Sequence, residues 1–166
     1  MKDNELLQTG ESAGASVQSP ANSSHRILVV DDDSDLRRLY AEVLARPGYH
    51  VDAAEDGAAG WEAIQASNYN LLITENNLPK LTGVELVRKL RAARLAVPVV
   101  MAAVRLPTLE LDQNPPLRLA ALLSKPFYLS ELLQTVRAVL RATDSSRELI
   151  APLNGQSQPS AGGLRL

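Results

Sequence analysis

The 166-residue chain contains no cysteine. A disulfide framework and thiolate metal sites are therefore excluded. The absence fits a reducing, cytoplasmic setting, which is the expected localisation. No excess of one charge is present either, with 17 Lys+Arg against 19 Asp+Glu. A nucleic-acid binder usually shows a basic face, so direct DNA binding is not expected. The longest basic cluster is Arg88, Lys89, Arg91 and Arg94. It reads as a solvated helix face rather than a phosphate-binding patch. Long hydrophobic runs are missing too. The longest, Leu95 to Val104, is broken by Pro98 and falls short of the roughly 20 apolar residues that span a bilayer. The opening Met-Lys-Asp-Asn-Glu is followed by no apolar segment, so neither a secretion signal nor a membrane partner is expected.

The apolar share, 45%, suffices for one sizeable core, and the length suits one domain. Residues 1–24 are rich in Ser, Ala, Gly, Asn and Gln without periodicity. They bury too little apolar surface to offset ordering entropy and are expected to be a disordered tail. The same expectation holds for 144–166, with its Pro/Gly/Ser/Gln stretch. The folded unit is then 25–143.

Within it, short apolar strands alternate with amphipathic helices. Ile27 to Val30 reads as a strand buried on both faces. Asp33 or Ser34 can cap a helix that puts Leu36, Leu39, Tyr40, Val43 and Leu44 on one face. Tyr49 to Ala54 is a second strand, and Ala58, Trp61 and Ile64 mark a second helix, with Trp61 read as core. Leu71 to Thr74 is the third strand. A helix through Val84, Val87 and Leu90 follows, then strands at Val97–Ala102 and Leu119–Leu123. Leu129, Leu132, Leu133, Val136, Val139 and Leu140 line the last helix. Prolines at 107, 115 and 116 disfavour regular helix between Val104 and Pro116, so a fourth helix there should be short or displaced. Alternating strands and helices predict an α/β fold, a doubly wound five-stranded parallel sheet of order 2-1-3-4-5, flavodoxin-like. Its chemistry belongs at the carboxyl ends of the strands.

Three of those ends carry charge. Strand one ends in Asp31-Asp32-Asp33, strand three in Glu75, strand five in Ser124-Lys125-Pro126. Clustered carboxylates repel unless a cation joins them, and hard oxygen ligands suit Mg²⁺. Lys125 would offer a second cation to a phosphoryl oxygen, following the positioning and charge neutralisation of phosphoryl transfer. The plainer reading makes Asp33 a helix cap and the other acids solvated loop residues. Three separate strand ends agreeing favour function over that reading.

These residues resemble the receiver domains of bacterial response regulators. Ile27 to Asp33 is similar to the family's acidic-pair strand. Leu71 to Gly83 is similar to its phosphoacceptor strand and loop, Pro98 to Ala103 to its switch strand, and Ser124-Lys125-Pro126-Phe127 to its lysine motif. The likeness covers residues 26–142, with the four motifs in order. It implies that Asp31, Asp32, Glu75 and the backbone carbonyl of Asn77 would hold Mg²⁺. It also implies that Lys125 would contact the phosphoryl group and that Lys125–Pro126 would be cis. A histidine kinase or another signalling protein would be the partner, docking on the last helix with the adjoining fourth-strand region, and weak homodimers occur in the family. With no output domain after 143, action through another protein is expected.

The chain departs from the family at four places. The phosphoacceptor position holds Glu75 instead of aspartate. The switch position holds Ala103 instead of Thr or Ser. Leu122 lies where many members carry an aromatic, and the fourth-helix region is proline-rich. The expected function is thus an atypical stand-alone receiver in two-component signalling, not an enzyme, with impaired or absent phosphorylation switching. Two alternatives remain. One is a phosphoaccepting receiver that uses Glu75. The other is a haloacid-dehalogenase-like phosphatase, since Asp31-x-Asp33 after a buried strand fits that nucleophile and acid pair.

Overall fold

The computed structural model describes residues 25–105 and 117–150. Expectations for 1–24, for 151–166 and for most of the proline-rich segment lie outside the described residues. Five strands are present: β1 (Arg26–Val30), β2 (His50–Ala54), β3 (Leu71–Thr74), β4 (Val99–Ala103) and β5 (Ala121–Ser124). Among the described residues four helices accompany them: α1 (Ser34–Ala45), α2 (Gly57–Ala66), α3 (Gly83–Ala92) and α4 (Leu129–Ile150). All pairings are parallel and the order is β2-β1-β3-β4-β5, as the alternation predicts.

The strand residues divide by period two onto the two faces of the sheet. Leu28, Val30, Leu72, Val99, Met101 and Ala103 join the apolar sides of α2 and α3 in one buried cluster. Ile27, Val29, Leu71, Ile73, Val100, Ala102 and Leu123 join α1 and α4 in the other. This double burial explains why β3 and β4 show no polar alternation. Trp61 packs at the rim of the first cluster, with the Lys89 ammonium 5.3 Å from its ring centroid.

Helix caps follow the local sequence. Asp33 caps α1, its side chain accepting from the amides of Asp35 and Leu36. Asp56 caps α2 through Ala59. Thr82 and Glu85 form a reciprocal capping box at α3.

Three differences from expectation have physical causes. β4 begins at Val99 rather than Val97, and β5 at Ala121 rather than Leu119. The carbonyls of Leu95, Val97, Leu117 and Arg118 are taken by the Arg91 guanidinium instead of a strand neighbour. Residues 144–150, expected to belong to a disordered tail, are helical, because α4 runs to Ile150. Asp144 within this extension accepts from the His25 ring nitrogen Nε2 at 3.0 Å, tying the helix to the start of β1.

Candidate functional site

The carboxyl ends of β1, β3, β4 and β5 open onto one cleft of about 700 Å³. Asp31 follows β1 and is buried; Glu75 follows β3 and is buried. Lys125 follows β5, its carbonyl linked to Pro126 by a cis bond. Its ammonium lies 2.7 Å from Asp31 Oδ2 and 2.8 Å from Glu75 Oε2. One lysine therefore bridges both carboxylates. Burial alone would lower the Lys125 pKa, and the hydrogen bonds and charges of Asp31 and Glu75 outweigh it, leaving it above the ordinary lysine value.

The remaining oxygens are also engaged. Glu75 Oε1 accepts the backbone N–H of Asn76 at 2.7 Å and of Asn77 at 3.2 Å. Asp31 Oδ1 accepts the N–H of Asp33 at 3.0 Å. The extra methylene of glutamate is thus taken up by a turn of the side chain back onto its own loop. Ala103 ends β4 with a fully buried methyl, which can donate nothing into the cleft.

The loop after Glu75 is clamped from two sides. A Cβ at Gly83 would lie 2.3 Å from the Glu75 carbonyl oxygen, and one at Gly57 would lie 1.9 Å from the Leu81 carbonyl oxygen. Asn76 accepts the Gly83 N–H with its carbonyl and the Val84 N–H with its side chain. Lys80, at φ 64°, reaches across to the buried Asp56. That hydrogen bond, followed by the Ala59 amide, holds the Asp56 carboxyl below the ordinary aspartate range.

The cleft lining brings Asp31, Glu75, Asn77 and Lys125 together, and Ala103 lies buried in the core at the end of β4. Asp32 lines the cleft but is exposed. Asp31 and Glu75 share the Lys125 ammonium, and with Asp32 and Asn77 lining the same cleft they offer the hard oxygen donors that would hold Mg²⁺, which takes one or two carboxylates and keeps several waters. Asp33 serves as a helix cap through one carboxylate oxygen. Sequence reasoning missed Arg105 at the cleft mouth, and the Asp56–Lys80 and Asn76 anchors of the loop. The one local signal for the anchors is the run Asn76-Asn77-Leu78-Pro79-Lys80, a dense set of turn formers.

A family model described as response regulator receiver domain matches residues 27–137. The chain is 35% identical over 121 residues to the response regulator receiver protein CpdR of Brucella abortus, covering 70% of this chain and 98% of that one. It is 36% identical over 120 residues to the response regulator MprA of Mycobacterium ulcerans, covering 72% of this chain and 52% of MprA. Among solved structures, the chemotaxis response regulator CheY4 of Vibrio cholerae superposes with a TM-score of 0.63 at 26% identity, over 69% of this chain and 98% of that one. The response regulator TrrA of Thermotoga maritima, solved in complex with Mg²⁺-BeF, superposes with a TM-score of 0.62 at 27% identity, with the same coverage.

Proposed function

The chain belongs to the response regulator receiver domain family, and on that premise we propose that it works in two-component signalling as an interaction module whose pocket is set without phosphorylation. The observation that carries this reading is the closed Glu75 carboxylate. One oxygen faces the Lys125 ammonium and the other accepts two loop amides. Phosphoryl transfer needs an acceptor oxygen held about 3–3.5 Å from phosphorus and in line with the leaving group. Here both oxygens are turned to internal donors. The side chain also supplies its own negative charge to an ammonium and two amides, a donor set suited to an anion. That charge is one unit, against about 1.5 to 2 for a phosphoryl group. Ala103 brings no hydroxyl to report either charge.

In this role the module has no turnover of its own and engages a histidine kinase or another signalling protein. The surface of β5 and α4, where Leu122 is exposed, is the docking face, and DNA is not contacted directly.

The test is intact mass after incubation with acetyl phosphate and Mg²⁺. The expected result is no gain of a phosphoryl group, and labelling gained by the double variant Glu75→Asp/Ala103→Thr. A stoichiometric gain in the native chain overturns the reading. A second reading has one observation in its favour, the 2.8 Å contact of Lys125 with Glu75. In it, a Glu75 oxygen attacks the donor phosphorus, the donor's leaving group departs and an acyl phosphate forms. Labelling that disappears in Glu75→Gln supports it; labelling that persists excludes Glu75.

A further inference from the structure

The basic cluster on α3 does not behave as one solvated face. Lys89 is laid over Trp61. Arg91 is half-buried, and four of its hydrogen bonds go to the carbonyls of Leu95, Val97, Leu117 and Arg118. It stitches the lead-in of β4 to the lead-in of β5. Arg94 and Arg118 then flank a notch of about 530 Å³ at the amino ends of these strands, floored by Leu95, Val97, Pro98 and Ala120.

Both flanking arginines occupy left-handed backbone positions, Arg94 at φ 57° and Arg118 at φ 51°. At Arg94 the setting is a helix terminus in which Leu95 N–H bonds to Leu90 and Arg94 N–H to Arg91. That pattern most often places glycine at this position. A side chain there carries backbone strain, and strain of this kind gathers at functional sites. The helix dipole would favour a cation at Arg94, but Arg118 is on no helix. No acidic residue occurs anywhere from Leu86 to Leu109. Glu110 and Asp112 lie outside the described residues, and burial, reinforced by the Arg118 charge, lowers the Arg91 pKa.

We propose that this notch binds a small polyanion of the phosphate-ester class, with Arg94 and Arg118 as ligands and Arg91 as the positioning residue that fixes their backbones. Each guanidinium presents a planar fork that matches a phosphate bidentately. The apolar floor would receive the carbon part of the ligand, and the volume lies within the range of small-molecule sites. The site is remote from the acidic cleft and does not depend on the state of Glu75.

Pyrophosphate is a suitable probe, titrated into the ¹⁵N-labelled full chain at ionic strength held constant with NaCl. Saturable shifts should appear at the amides of 94–97 and 118–120. Arg94→Gly/Arg118→Gly should weaken binding by roughly tenfold or more, as expected for charge-assisted hydrogen bonds. Its melting temperature should be equal or higher, because glycine suits both backbone positions. Lys89→Ala should leave the affinity unchanged. The proposal is overturned if NaCl alone reproduces the shifts, if Lys89→Ala weakens binding as much as the double variant, or if the double variant binds normally. A hexaglutamate peptide that binds more tightly than pyrophosphate would also overturn it, reassigning the notch to an acidic protein segment.

Discussion

The two edges of the sheet solve the problem of charge in opposite ways. At the carboxyl edge, Asp31 and Glu75 are buried and share one ammonium, and backbone amides take the oxygens left over. Both buried carboxylates there have internal partners, while Asp32 stays exposed. At the amino edge, Arg91 is held by carbonyls, which are dipoles and not counter-charges. Arg94 and Arg118 line the same notch, and among the described residues no acid lines it with them. The lesson is that the acidic edge, where the family places its chemistry, gathers its buried carboxylates around one ammonium, while the described lining of the basic notch brings cations together without an acid among them.

The strongest way to break this contrast is to remove Lys125. Lys125→Met leaves two buried carboxylates facing each other, and breaking such a group from one side costs about 3–5 kcal/mol. Urea unfolding at neutral pH should show the loss. Adding Asp31→Asn and Glu75→Gln should recover most of the deficit.

Next in size is Arg91→Ala. It strands up to four carbonyls, some partly hydrated, and should cost about 3 kcal/mol in the same measurement. Arg91→Lys should rescue little, since an ammonium lacks the planar fork.

A smaller effect concerns acid. The Asp56 pKa is depressed by Lys80 and the Ala59 amide, and backbone amides depress Asp33 and Glu85 in the same direction. Depressed carboxyls contribute stability that is present above their ordinary value of about 4 and is lost as pH falls through the folded value. The urea midpoint should therefore be flat near neutrality and drop below about pH 4. Asp56→Asn should flatten that drop.

The smallest effect sharpens the contrast. Arg118→Gly should shift stability by no more than about 0.5 kcal/mol, because relief of the left-handed backbone offsets the added chain entropy of glycine. A loss well beyond that in thermal unfolding would mean that Arg118 has a structural partner.

Much of this fold was legible from period and punctuation alone. Ile27 to Val30 and Leu71 to Thr74 read as doubly buried strands because nothing polar interrupts them. The spacing of Leu129 through Leu140 marked α4. The grouping of Asp31, Glu75 and Lys125 followed from the rule that strand ends share one edge. What sequence left open was which cation satisfies the acids, because a side-chain bridge and a metal ion require the same residues at the same ends. The starts of β4 and β5 were misjudged for a related reason. Leu95, Val97 and Leu119 have strand-like character, but carbonyls beside them in the chain are claimed by Arg91, a long-range contact that no local pattern announces. The end of α4 was hidden similarly, since Thr143 to Arg147 looks like linker until Asp144 meets His25.

That last contact has a kinetic meaning. His25 and Asp144 are 119 positions apart, so their meeting closes almost the whole described chain into one loop. Loop-closure entropy grows only slowly with length, but this closure is repaid locally by one partly exposed contact. Local unfolding begins where few buried contacts hold an element. The final turns of α4 should accordingly be the first helix to exchange amide protons, and an early rise in exchange there marks the moment when the chain's two ends part.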